Sequence, residues 1–89
     1  MKILRTDGTI ESPTFVSDLA SLQAIVGGYI EFFTFADGTA LCVNEEGKLE
    51  GLPWNAAATA IAEKKGRPEL IVGDAVLFSR AEARSMEGE

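Results

Sequence analysis

The chain reads as an α+β domain, a mostly antiparallel sheet of about five to six strands with two helices packed on one face. Three observations predict this class. Short runs of aromatic and β-branched residues recur at close spacing, joined by Asp-Gly or Gly-Asp turn signals rather than long crossovers. Two windows of helical patterning interrupt these runs, each with a polar start and a glycine stop. The 89 residues are 46% hydrophobic and 25% charged, ordinary proportions for one folded domain.

In chain order, Lys2 to Thr6 is a strand. Asp7-Gly8 is a two-residue hairpin turn in which both positions accept φ > 0. Thr9 to Val16 is the return strand, and Pro13, lacking an N–H, places it at a sheet edge. A helix follows with Ser17 as N-cap and Asp18 in its first turn; Leu19, Leu22, Ile25 and Val26 form one apolar stripe. Gly27-Gly28 ends it. Tyr29 to Phe35 is the most strand-like segment, and Asp37-Gly38 turns it onto Ala40 to Val43, which is apolar throughout and therefore central. Asn44 to Gly47 is a tight turn, and Lys48 to Glu50 adds a short strand. Asn55 caps a second helix, Ala56 to Lys65, which Gly66 stops. Glu69 to Val72 and Ala75 to Ser79 are two last strands around Gly73-Asp74. Residues 1–80 then form the domain, and 81–89 a polar tail, frayed or weakly helical.

Composition excludes whole classes of function. With no His there is no Ser-His-Asp or Cys-His catalysis and no imidazole metal site. One Cys leaves no intrachain disulfide and no Cys-cluster metal centre; Cys42 reads as a small buried hydrophobe. No catalytic residue, metal ligand or cofactor is assigned, and the chain reads as a non-enzyme. The formal charge of -6 argues against binding a nucleic-acid backbone. No apolar run long enough to span a membrane and no secretory h-region occur, so a cytoplasmic location is expected. A domain this small, without disulfide or metal, gains most from self-association, so a homo-oligomer is expected. Phe32, Phe33 and Phe35 suggest the surface: Phe33 and Phe35 share one face of their strand, and Phe32 takes the other.

Two loops concentrate polar and aromatic groups. Asn44-Glu45-Glu46-Gly47-Lys48 mixes an amide, two carboxylates and an ammonium. Gly51-Leu52-Pro53-Trp54-Asn55 carries the single Trp before a helix N-terminus, whose free N–H groups favour anions. The Leu22-Gln23-Ala24-Ile25-Val26-Gly27-Gly28-Tyr29-Ile30-Glu31 block resembles a family of small proteins of unknown function common in phages and mobile elements. So do Asn44 to Leu49, Gly51 to Asn55 and Ile71 to Leu77. Trp54 and the Ala-rich helix depart from that pattern. The resemblance implies a genomic setting rather than a mechanism. Small phage proteins without catalytic residues often act by binding, which implies counter-defence by analogy.

The expected function is therefore sequestration of a small nucleotide-derived signal. Tyr29 or Trp54 would stack the base, Asn44 and Asn55 would hydrogen-bond its edges or ribose, and Lys48 with the following helix N-terminus would meet phosphate. The alternative is a protein-interaction module that inhibits a host defence protein directly.

Overall fold

A computed structural model describes residues 1–13 and 18–87 of the chain. Its elements are β1 (Lys2–Leu4), β2 (Ile10–Glu11), α1 (Leu19–Val26), β3 (Ile30–Thr34), β4 (Ala40–Asn44), α2 (Ala56–Lys64), β5 (Ala75–Phe78) and α3 (Arg80–Glu87). The sheet order is β2-β1-β5-β4-β3, and every neighbouring pair is antiparallel. The mixed α+β class and the antiparallel sheet are as expected. The strand carrying Pro13 does lie at an edge, although β2 covers only Ile10–Glu11. Thr14 to Ser17, including the expected Ser17 cap, lie outside the described residues. Asp18 fills the N-cap position instead, its carboxylate accepting from the Ser21 amide.

The layering differs from the sequence expectation. Side chains alternate along a strand, so β4 presents two faces. Ala40 and Cys42 pack with Ile3, Val76 and Phe78 beneath Leu22 and Val26 of α1 and Ala83 of α3. Leu41 and Val43 pack with Leu4, Phe35 and Ala75 against Ala58 and Ala62 of α2. The two helices expected on one face therefore cover opposite faces, and the molecule has three layers. The cause is visible in β4 itself: a strand that is apolar at successive positions has two faces to remove from water. Residues 80–87, expected frayed or weakly helical, form α3. Ser79 and Glu82 cap it reciprocally, the Glu82 amide donating to Ser79 Oγ and the Ser79 amide to Glu82 Oε1. The Met1 ammonium donates to the other Glu82 oxygen at 2.7 Å, which ties α3 to β1.

Both Asp-Gly hairpins are built alike and are one residue longer than a two-residue turn. The Arg5 amide reaches Thr9 O, and the Phe35 amide reaches Thr39 O. Only the glycines, Gly8 and Gly38, take positive φ; Asp7 and Asp37 do not. Each Asp instead accepts from the amide and the hydroxyl of the Thr two residues on, which stabilises a three-residue loop with a bulge. Gly27 ends α1 in the left-handed conformation, as expected.

Two expected strands are absent. Lys48 to Glu50 lies in a run of turns, closed by Glu50 N to Glu46 O and Leu52 N to Gly47 O bonds. Glu69 to Val72 contributes only one bridge, Val72 to Trp54.

Candidate functional site

Asn55 sits at the junction of α2 and the sheet and is fully buried. Its amide nitrogen donates to Leu4 O at 2.8 Å and Gly73 O at 2.9 Å, while its oxygen accepts from the Ala58 amide. One side chain thus caps α2 and bolts it to β1 and to the turn before β5. Its hydrogen-bonding groups all face protein, so the ligand contact expected of Asn55 is replaced by a structural role. Asn44, also buried, occupies the equivalent place on the α1 side. Its nitrogen donates to Val26 O and Glu50 Oε1, and its oxygen accepts from the Glu46 amide. It lies against Gly28, where an added Cβ would sit 3.1 Å from the Asn44 nitrogen. The Gly27-Gly28 pair therefore serves the α1 terminus and this close approach.

Trp54 is exposed, but its indole N–H donates to Thr59 Oγ1 at 3.1 Å. Thr59 in turn receives the Ile71 amide. The loop before α2 is thereby held by the Asn55 N to Ile71 O and Gly73 N to Pro53 O bonds on either side of the Trp54–Val72 bridge. Tyr29 is exposed, with its backbone carbonyl taking the Glu45 amide. The five expected site residues are not gathered into one pocket: Asn44 and Lys48 line a cleft, whereas Tyr29, Trp54 and Asn55 do not.

That cleft, about 240 Å³, opens between the β3–β4 hairpin, the 45–49 turns and residues 69–72. Val43, Ile71 and the half-buried Phe33 supply apolar wall. Glu31, Glu45 and Glu69 bring three carboxylates, and Lys48 brings one ammonium that already pairs with Glu69 at 2.5 Å. Leu49, 87% exposed, and Leu70, 54% exposed, complete the lining. Glu31 and Glu45 make no side-chain hydrogen bond or ion pair among the described residues. Three of these groups escaped the sequence reading: Glu69, Leu49 and Leu70. The signal was there in Leu49, a large apolar residue inside a run of turn residues, where nothing local can bury it.

Titration elsewhere follows simple causes. Burial pushes the Cys42 thiol up to about 12, which agrees with the inert hydrophobe expected. The hydrogen bond from the N-terminal ammonium holds the Glu82 carboxyl below its usual range. Ser21 does the same for Asp18, and Lys65 together with Thr39 does so for Asp37. Among the described residues no three His, Cys, Asp or Glu side chains are grouped to share a metal ion. No helix among them is long and apolar enough to cross a membrane.

Fold and cleft together define a small three-layer α+β domain that presents an acidic, apolar-lined recess at one end of its sheet. The chain belongs to the family described as Domain of unknown function (DUF3846), which it matches over residues 1–87. No curated protein and no solved structure matches it.

Proposed function

We propose that the protein is a non-enzymatic binding module whose cleft takes a cationic, apolar segment of a partner protein. The supporting observation is the pairing of Leu49 and Leu70, large and exposed, with the carboxylates of Glu31 and Glu45, which have no partner among the described residues, around one recess. Exposed apolar side chains next to charge mark contact surfaces, because they gain from losing water and the charge selects the partner. A Lys or Arg at Glu45, with a neighbouring apolar side chain against Leu49, satisfies both. Sequestration of a nucleotide-derived signal is less well supported. The two amides meant to read the base are used inside the fold, and the expected phosphate partner Lys48 faces Glu69. The resemblance to phage and mobile-element proteins supports a host protein as the partner, with a defence protein the case we favour.

Calorimetric titration with a short amphipathic Lys/Leu peptide, an acidic peptide of the same length and a panel of cyclic nucleotides tests the reading. Heat with the basic peptide alone, lost in Glu45→Lys and in Leu49→Ser and weakened by salt, is expected. Heat with a nucleotide and none with the basic peptide overturns it in favour of the small-molecule reading.

A further inference from the structure

We propose that β3 is a self-association edge, pairing antiparallel with β3 of a second copy about a two-fold axis at Phe32. The two edges of the sheet are unequal. β2 offers only Ile10 and Glu11, with Pro13 close behind, whereas β3 runs five residues without a proline. The register of β3 on β4, with the Phe35 amide bonded to Thr39 O and the Glu45 amide to Tyr29 O, fixes which groups point where. Tyr29, Glu31, Phe33 and Phe35 turn their backbone groups to β4. Ile30, Phe32 and Thr34 turn theirs outward, to an edge that no described strand covers.

A two-fold at Phe32 is self-complementary. It sets the outward groups of Ile30, Phe32 and Thr34 opposite those of Thr34, Phe32 and Ile30 in the second copy. On the α1 face Phe32, 40% exposed and 6.1 Å from the Phe78 ring, meets its own copy. On the α2 face Glu31 falls opposite Phe33, with Cβ atoms about 5 Å apart in such a pair. That position already holds a cation: the Arg67 guanidinium lies 4.9 Å from the Phe33 ring centroid. In the free chain Arg67 also donates to Thr34 O, one of the outward carbonyls. Pairing exchanges these partners. The Ile30 amide of the second copy takes over Thr34 O, and Arg67, still on Phe33, turns to the Glu31 carboxylate of that copy. The outward backbone groups of Ile30, Phe32 and Thr34 are all paired, and Glu31 gains an ion pair that it does not have among the described residues. The charge complementarity thus points to a second copy, and the cleft keeps Glu45 for its own partner.

The test needs no peptide, so it stands or falls separately from the proposed function. Sedimentation of the full chain across micromolar to millimolar concentration is expected to show a monomer–dimer equilibrium. Glu31→Arg alone and Arg67→Glu alone each weaken it by at least about tenfold, and the double variant Glu31→Arg/Arg67→Glu restores it. Amide exchange supplies a second readout: with rising concentration Ile30, Phe32 and Thr34 slow by about tenfold or more, while Glu31 and Phe33 are slow throughout. A chain monomeric at every concentration, in which Arg67 merely covers the edge, overturns the proposal. So does a dimer whose stability neither charge reversal alters, or one in which the alternate-residue exchange pattern is missing.

Discussion

The turns after β4 and the loop before α2 look alike as sequence: each holds an asparagine, a glycine and at least one large apolar residue. In the fold they are opposites. In the loop before α2 both groups of the Asn55 side chain are spent on protein, and even the exposed Trp54 spends its N–H on Thr59. In the turns after β4, Glu45 and Leu49 face solvent and Glu45 has no side-chain partner among the described residues, whereas Asn44 is spent on Val26 O and Glu50, and Lys48 on Glu69. A residue type rich in hydrogen-bonding capacity thus says little about function until its partners are counted. The groups left over, not the groups most capable, mark the surface available for binding.

Asn55→Ala tests the contrast most severely. It removes the α2 cap, takes one donor from each of Leu4 O and Gly73 O, and deprives the Ala58 amide of its acceptor at a fully buried site. A loss of about 3–5 kcal/mol is expected, read from the shift of the urea midpoint. Asn55→Asp sharpens it, because a carboxylate keeps the cap but turns acceptors toward two carbonyls; it should be no better tolerated. Asn44→Ala should cost about 2 kcal/mol by the same measurement, since Glu46 and Val26 O lose their partner. Trp54→Phe, which replaces the indole with a smaller ring and deletes the N–H to Thr59, should cost about 0.5–1 kcal/mol. Leu49→Ser should shift stability by less than about 0.5 kcal/mol while abolishing peptide heat, the reverse of the Asn55 result. A large stability loss at Leu49, or none at Asn55, would erase the distinction between the two regions.

Acid probes the groups that hold the ends of elements. Glu82, Asp18 and Asp37 have folded-state pKa values below their unfolded ones. Their contribution is present above the ordinary carboxylate range, near about pH 4, and is lost as the pH falls through the lower folded values. Stability should therefore decline from about pH 4 downward. Glu82→Gln should flatten that decline, seen by thermal melts at successive pH values.

Much of the architecture was legible because its signals are local. Asp-Gly before a β-branched residue makes a hairpin within five residues, Asn55 reaches an amide three residues on, and Gly27 takes a backbone conformation other residues avoid. The Ser79–Glu82 box was equally local, yet the polar composition of the segment hid it. What could not be read was anything settled between distant segments. Whether α1 and α2 share a face depends on which side of β4 each finds, and β4 is apolar on both. Lys48 to Glu50 and Glu69 to Val72 have strand-like composition, but the neighbouring backbone that would pair with them is taken up by turns or by a single bridge. Chain chemistry alone establishes that no imidazole, intrachain disulfide or membrane-length apolar run is present in these 89 residues, where α1 ends and α2 begins, and where the two Asp-Gly hairpins turn. Tertiary structure alone assigns Asn44 and Asn55 to the scaffold and leaves Glu31, Glu45, Leu49 and Leu70 to the surface, because burial and hydrogen bonding are settled by neighbours far away in sequence.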